Sequence, residues 1–377
     1  MKKTWIMAAL AAAVLSAPSA YAQDLTVAVA GPMTGSEAVF GRQLKDGAEL
    51  AIADINAAGG VLGRKLKLEI GDDQCDPKQA RSVAEKIAAA KIPFVAGHYC
   101  SSSSIPASDA YLEGNVLQIT PASTNPTFTE RKMWNTFRVC GRDDQQGAVA
   151  GAYLAKNYGS KNIAILNDRT TYGKGLADET KKALNKAGVQ EKMYESYTKG
   201  DKDFNAIVSR MKAAGIDVVY IGGYQQEAGL ILRQMRDQGM KTVMMAGDAL
   251  ADKEFAAVTG TLGAGTLMTF GPDPRKNPAA ADAVKAFAAK NINPEAYTLY
   301  SYAAVQIFAQ AATAAKSTDP KKVAEKMHSG MKFNTVIGPI SYDKKGDRTG
   351  LDYVMYIWKK NKDGKITYEE CPAAGCK

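Results

Sequence analysis

An α/β architecture, with parallel sheets flanked by helices on both faces, is predicted by two features of the sequence. Short apolar runs typical of buried strands alternate strictly with helical patterns, which is the order of βαβ units. The alternation restarts, so blocks at roughly 24–140 and 143–270 look like a duplicated lobe. Neither block has Gly-x-Gly-x-x-Gly after its first strand, which argues against a dinucleotide-binding turn.

In the first block, each strand is a short apolar run and each helix has apolar residues at helical spacing. Its strands are expected at 25–31, 66–72, 93–98 and 116–120, and its helices at 43–57, 77–90 and 105–113. The strand ends lead into the segments GPMTG, HYCSSSS and TPASTNP. Ligands of open α/β sheets gather at the carboxyl ends of the strands, so these segments are candidates for a binding site.

The second block repeats the pattern. Its strands are expected at 162–168, 192–198, 217–223, 242–248 and 265–270, and its helices at 145–157, 175–187, 204–214 and 228–238. The strand ends carry DRTTYG, GGYQQE and GDALAD, and two such edges facing each other would form a cleft. Further helices are expected at 279–290, 296–315 and 321–329. A β meander with DKKGD and NKDGK turns is expected from Gly338 to Tyr368.

The N-terminus predicts export. Residues 1–22 combine a basic start, an apolar stretch and the small-x-small sequence AYA, which is typical of a secretory signal peptide. No later apolar run reaches the roughly 18 residues of a membrane-spanning helix. The formal net charge is +9, but the basic residues are scattered rather than gathered into a stripe, so we expect no nucleic-acid partner.

The five cysteines fit an oxidising compartment, where an odd number leaves one free thiol. Cys75 and Cys100 each follow an apolar run, as neighbouring strand ends would, and bridging them would close a loop of about 25 residues. Cys371 and Cys376 could close a short tail on itself, and Cys140 is most simply a small buried hydrophobe.

Metal, cofactor and catalytic signatures are weak. The only histidines are His98 and His328, too few for a convincing metal site, and no cofactor is expected. A secreted hydrolase is the candidate from the enzyme class, but the chain has no Gly-x-Ser-x-Gly elbow to support a serine nucleophile. We therefore expect a protein that is not an enzyme.

Several strand-end residues have two interpretations. Ser101 and Thr124 could add neutral donors to helix N-termini that attract a carboxylate, or they could simply cap those helices. Asp248 could hold an ammonium group, or cap the helix that follows it. Tyr172 and Tyr224 could contact a ligand or only pack.

Longer segments carry a family resemblance. GPMTGSEAVFGRQLKDGAELAIADINAAGGVLGRKLKLEIGDDQCDPKQA, GHYCSSSSIPASDAY, ITPASTNP, DRTTYGKGLA, YIGGYQQEAG and VIGPISYDKKGD resemble the leucine/isoleucine/valine-binding proteins of bacterial ABC importers. The resemblance covers essentially the whole mature chain. It implies a type I periplasmic binding protein fold, α/β, with two lobes joined by three crossovers at a hinge. The implied limits are 23–142 plus 272–349 for lobe 1 and 143–271 plus 350–377 for lobe 2.

The resemblance also implies a ligand site. An amino acid carboxylate would be held by Ser101 and Thr124, and its ammonium by the Ala122 carbonyl, Thr124 and Asp248, where the family often has a glutamate. Ser123 would belong to the same binding loop. The aromatic residues implied at the closing surface and the side-chain pocket are Tyr172, Tyr224, Phe40 and Tyr99, with Cys100 on the pocket floor. The family's disulfide matches Cys75 and Cys100.

The implied function is that of a monomeric periplasmic receptor. It would bind leucine, isoleucine or valine, with phenylalanine as a further candidate, and deliver the ligand to an ABC permease in the inner membrane. The alternative within the same fold is a receptor for an aromatic acid, an amide or a short peptide. Tyr99, which stands where an aliphatic residue is common, keeps aromatic ligands open.

Overall fold

The computed structural model describes residues 23–350, 353–372 and 375–376, so the signal peptide predicted at 1–22 lies outside the described residues. The strands are β1 (Leu25–Gly31), β2 (Leu66–Asp72), β3 (Phe94–Gly97), β4 (Leu117–Thr120), β5 (Thr136–Arg138), β6 (Ile163–Asn167), β7 (Met193–Ser196), β8 (Val218–Gly222), β9 (Val243–Ala246), β10 (Leu267–Phe270), β11 (Phe333–Thr335), β12 (Gly338–Ile340), β13 (Val354–Lys360) and β14 (Ile366–Glu370). The helices are α1 (Ala38–Ala57), α2 (Pro77–Ala89), α3 (Ser101–Glu113), α4 (Thr127–Glu130), α5 (Asp143–Tyr158), α6 (Thr171–Lys186), α7 (Asn205–Ala213), α8 (Gln225–Asp237), α9 (Lys253–Thr259), α10 (Ala281–Ala289), α11 (Thr298–Ala315) and α12 (Pro320–His328).

The first sheet is entirely parallel, in the order β2-β1-β3-β4-β5. Its central strands are continuous apolar runs because helices cover both faces, as in the buried strand β1. Helix α11 returns from late in the chain to pack on α1, and Gly47 makes this approach possible. A Cβ at Gly47 would lie 2.1 Å from the Thr298 carbonyl oxygen. We call this sheet and its helices the first lobe.

The second sheet has seven strands in the order β14-β13-β10-β9-β8-β6-β7, and it forms the second lobe. Strands β6 to β10 are parallel to one another, whereas β13 pairs antiparallel with β10, and β14 pairs antiparallel with β13 at the edge of the sheet. The chain passes between the lobes three times, after β5, after β10 and before β13. None of the described helices is both long and apolar enough to span a bilayer.

The single β meander predicted from Gly338 to Tyr368 is wrong. Strand β12 pairs with β11 in a separate two-stranded sheet, whereas β13 and β14 extend the second sheet. Alternation along the sequence revealed extended segments, but alternation cannot tell which strand is the partner of which.

Five helices begin two to five residues before their predicted starts, namely α1, α3, α5, α6 and α8. The first turns of α3, α5, α6 and α8 are mostly serine, aspartate, glutamine, threonine and similar residues that carry no apolar periodicity, whereas α1 begins with the sequence AVFG. The strand ends therefore lead into helix N-termini almost at once. This brings the polar strand-end segments into the first helical turns, where backbone N–H groups are unpaired.

Candidate functional site

A small cavity lies between the lobes, with an empty volume of about 190 Å³. Its lining comes from both lobes and consists of Tyr99, Ser101, Ala122, Tyr172, Tyr224, Asp248, Ala249 and Tyr297. The arrangement suits a small solute that contacts both lobes.

On the first lobe, the cavity meets the N-terminus of α3. Cys100 is the N-cap residue with an extended backbone and no side-chain cap, so the serines do not act as N-caps here. Its carbonyl accepts the N–H groups of Ser103 and Ser104, both at 2.9 Å. The N–H groups of Ser101 and Ser102 have no intrahelical acceptor, and the positive end of the helix dipole makes this a site for an anion.

The serine hydroxyls have different roles. Ser101 Oγ accepts the Asn125 N–H at 3.2 Å and lines the cavity. Ser104 Oγ and Ser123 Oγ hydrogen-bond to each other at 2.6 Å, and Ser123 Oγ donates to the Tyr99 carbonyl at 2.9 Å. Ser104 and Ser123 therefore fix the two binding loops against each other, and the Ser123 side chain is not part of the cavity lining.

The loop of Ala122 to Asn125 is also held from the hinge side. The fully buried Arg138 guanidinium donates to the Ser123 carbonyl at 2.7 Å and to the Asn125 carbonyl at 3.1 Å. It forms an ion pair with Asp347 at 2.8 Å. Thr124 is buried in this loop, and its hydroxyl has no hydrogen-bond partner among the described residues. These contacts fix the backbone of the loop through protein groups alone.

Asp248 is the charged group of the cavity, and it comes from the second lobe. Its Oδ1 accepts the Tyr172 hydroxyl at 2.8 Å, and its Oδ2 accepts the Tyr297 hydroxyl. Burial raises the pKa of the Asp248 carboxyl, and the hydroxyls of Tyr297 and Tyr172 act in the opposite direction. Because these hydroxyls are neutral, they leave the buried carboxylate without a countercharge, and a cationic group of a ligand would stabilise it.

The alternative interpretation of Asp248 as a helix cap is wrong. The 3₁₀ helix that starts at Asp248 has no side-chain cap hydrogen bond, and the cap of α9 is Asp252, which accepts the Glu254 N–H at 2.8 Å. Asp248 is therefore left to face the cavity, which it lines together with Ala249.

The remaining walls are aromatic. Phe40 stacks on Tyr99 with ring centroids 4.4 Å apart, and Tyr172 packs on Tyr224 at 5.2 Å. Tyr224 also reaches across the cleft, where its hydroxyl lies 3.2 Å from Cys100 Sγ. Phe40 and Cys100 lie behind the lining residues rather than on the cavity surface.

Two cavity residues, Ala249 and Tyr297, were not among the predicted site residues, and Tyr297 lies outside every strand-end segment. It lies at the N-terminus of α11 and packs edge-on against Tyr99 with ring centroids 5.5 Å apart. Its N–H donates to Gln43 Oε1 at 3.0 Å. No strand precedes it, so the strand-end rule did not identify it, and the aromatic segment YTLYSY was the only signal.

The cysteine pairs are resolved. Cys75 bonds to Cys100 with Cα atoms 5.5 Å apart, which ties the loop after β2 to the start of α3. Cys371 bonds to Cys376 in the C-terminal tail. Cys140 is free and buried, and burial raises the pKa of its thiol to about 12, so it behaves as a small apolar residue.

Two α/β lobes joined by three crossovers around a small cavity define the class of two-lobed solute-binding proteins. The family model described as periplasmic binding protein matches residues 24–365, and the chain belongs to that family. A Leu/Ile/Val-binding protein homolog of Brucella suis is 52% identical over 369 residues, covering 98% of this chain and 99% of the relative.

Two further comparisons agree. An amino acid binding protein of Pseudomonas aeruginosa is 48% identical over 352 residues, covering 93% of each chain. The crystal structure of a leucine-binding protein, LivK, from Thermotoga maritima superposes with a TM-score of 0.84 at 30% identity, covering 92% of this chain and 97% of that chain. The family and the two-lobed fold predicted from the sequence are confirmed.

Proposed function

We propose that this chain is a periplasmic receptor that encloses a branched-chain amino acid between its lobes and delivers it to an ABC permease of the inner membrane. The observation that carries the proposal is one small cavity that joins a helix N-terminus, suited to a carboxylate, with a buried carboxylate, suited to an ammonium. The names of the relatives in Brucella, Pseudomonas and Thermotoga support this ligand class.

The two charged ends of the ligand receive different partners. Its carboxylate would bind the N–H and hydroxyl of Ser101, with the unpartnered Thr124 hydroxyl as a further donor. Its ammonium would bind Asp248, with the Ala122 carbonyl and Thr124 completing the set. Neutral donors hold the anion and a charged acceptor holds the cation, so the bound zwitterion supplies the countercharge that Asp248 lacks.

The side chain of the ligand would lie against the tyrosines. A branched aliphatic chain buried there gains roughly 1.5–3 kcal/mol from leaving water. Tyr172 and Tyr224 would close over it from the second lobe, and Tyr99 from the first, with Phe40 and Cys100 behind. A ligand that contacts both lobes stabilises the closed arrangement, because the open one cannot form those contacts.

Direct contacts between the lobes add to closure. Asn125 Nδ2 donates to the Thr171 carbonyl at 2.8 Å, and Gln43 Nε2 donates to Asp252 Oδ2 at 2.6 Å.

We take the lobe limits as 23–142 plus 272–349 for lobe 1 and 143–271 plus 350–377 for lobe 2. We also propose that the receptor acts as a monomer without a catalytic role, and that residues 1–22 direct it to the periplasm.

Calorimetric titration of protein refolded free of co-purified ligand tests the proposal. We expect one site, with leucine, isoleucine or valine bound most tightly among the amino acids. Two truncated ligands serve as matched controls, 4-methylpentanoate without the amine and 3-methylbutylamine without the carboxylate, and both should bind far more weakly than leucine. Tighter binding of a sugar, or of the acid without its amine, would refute the proposal.

A further inference from the structure

A second group of buried carboxylates lies beside the cavity. It consists of Glu37 before α1, Asp168 after β6 and Glu227 in the first turn of α8, each about 1% exposed. We call these three residues, together with the buried Tyr197, the acidic pocket. Four of its oxygens have no hydrogen-bond partner in the described part of the chain, namely Glu37 Oε2, Asp168 Oδ2, Glu227 Oε2 and Tyr197 Oη. Unpartnered buried oxygens are costly, so they call for an explanation.

One cation reaches the acidic pocket. Lys199 Nζ lies 3.3 Å from Glu37 Oε1, an ion pair between the lobes, and 4.2 Å from the centre of the Tyr224 ring. The neighbouring Gly200 N–H donates to Glu227 Oε1 at 2.9 Å, which holds this loop in place. Within the described part of the chain, a single ammonium therefore faces three carboxylates, and the pocket keeps a deficit of positive charge.

The pKa values of the pocket carboxyls reflect this deficit of positive charge. Burial raises the pKa of Asp168 to about 6 and raises the pKa of Glu227 above its ordinary value. Lys199 acts against burial at both groups, and the neighbouring carboxylates act with it. Another cation that replaced Lys199 would be attracted by the same three carboxylates.

The acidic pocket and the ligand cavity share a wall. Tyr224 lines the cavity, and its ring also receives Lys199. A Cβ at Gly223, the residue before Tyr224, would lie 2.2 Å from Tyr197 Oη and 3.3 Å from Asp168 Oδ2. These two oxygens thus face the backbone that leads directly into the cavity wall.

We propose that Lys199 is a tethered counter-ion that occupies a cation site beside the ligand cavity and thereby restricts the receptor to amino acids with uncharged side chains. The inference rests on the proposed amino acid ligand and adds a residue that determines its specificity. With Lys199 in place, the side-chain ammonium of a basic ligand meets a like charge that is already paired with Glu37. Without Lys199, the three carboxylates attract the cationic end of a linear basic amino acid such as lysine or ornithine.

The test compares L-lysine with L-norleucine, which has the same carbon chain without the charge. Titrations use the wild type, Lys199→Met, and Lys202→Met as a matched control, because Lys202 is an exposed lysine of the same loop. We expect the ratio of lysine affinity to norleucine affinity to rise at least about tenfold in Lys199→Met and to stay unchanged in Lys202→Met. Adding Glu227→Gln to Lys199→Met should reverse part of the gain.

An unchanged ratio in a Lys199→Met protein that still binds norleucine would overturn the role of Lys199 and leave the proposed function intact. Failure of the wild type to bind leucine or norleucine would instead overturn the proposed function.

Reductive methylation of the wild type, followed by mass spectrometry, tests the pairing of Lys199 without any substitution. Lys199 should react more slowly than Lys202, because its side chain is 21% exposed and its ammonium is paired with Glu37, whereas Lys202 is exposed. Equal rates would contradict the proposal.

Discussion

Replacing Asp248 by asparagine removes the charge that we assign to the ligand ammonium while keeping the shape of the side chain. Asp248 is 3% exposed, and both of its carboxylate oxygens already accept tyrosine hydroxyls. The amide can keep one of these hydrogen bonds, from Tyr172 or from Tyr297. The substitution therefore tests charge rather than packing.

The expected loss follows from burial. Removing one partner of a buried ion pair costs about 3–5 kcal/mol, and a hydrogen bond to a charged group contributes about 1.5–3 kcal/mol. Because the amide oxygen can still accept from the ammonium, we take about 3 kcal/mol, which corresponds to affinity about 150-fold weaker. The ligand-free protein should be no less stable than the wild type, because Asp248 lacks a positively charged partner there and burial raises its pKa.

Calorimetric titration with leucine and thermal unfolding without ligand measure the two effects together. Asp217→Asn is the control, since Asp217 is an acid of the second lobe that directly precedes β8 and so lies at the opposite end of that strand from the cavity. We expect its leucine affinity to stay within about threefold of the wild type. Asp248→Asn with affinity within that same range would refute the assignment of the ammonium to Asp248.

Three further predictions concern neighbouring groups. Tyr297→Phe removes a hydroxyl that reaches Asp248 from the other lobe, so titration should show leucine affinity about 5- to 20-fold weaker, and an unchanged affinity would contradict its role in closure. Serine at both Cys75 and Cys100 should lower the free energy of unfolding in urea by about 3 kcal/mol, and removal of the tail disulfide by clearly less, because its loop is short. The raised pKa of Asp168 means that the folded state binds more protons than the unfolded chain between about pH 4 and 6, so its contribution to stability falls as pH rises through that range. Asp168→Asn should remove this fall and be more stable than the wild type at pH 7.5 by up to about 3 kcal/mol, and a pH profile of urea unfolding identical to the wild type would contradict it.

The strands of the parallel sheets were predictable because strands buried on both faces have a simple sequence pattern, a short apolar run such as LTVAVAG. Strand β5 was missed because its three residues, TFR, include a buried arginine. Arg138 serves the hinge and the binding loop rather than the core, and polar burial of this kind has no periodic signature. The starts of α3, α5, α6 and α8 were missed for a related reason, since their first turns are mostly polar.

Most of the cavity was predictable from one rule, that polar residues after parallel strands converge at one edge of the sheet. Ser101, Asp248 and Tyr224 lie there for this reason. Tyr297 does not follow a strand, because it lies at the start of α11, a helix from late in the chain that packs on the first lobe. Glu37 and Lys199 are separated by about 160 residues, and each looks like an ordinary surface residue in the sequence. Only the folded chain brings them together.

The two acidic regions beside the cavity differ in how their charge is balanced. Asp248 receives only neutral hydroxyls, so a ligand ammonium gains the full benefit of a buried countercharge. The acidic pocket has a cation of its own, Lys199, which is tethered to the second lobe and pairs with Glu37 of the first. The α-ammonium of a ligand meets an uncompensated carboxylate at Asp248. A second ammonium, on the ligand side chain, would have to displace Lys199 from the acidic pocket. One positive charge is thus recognised and a second is rejected, and the same ion pair between the lobes favours the closed form.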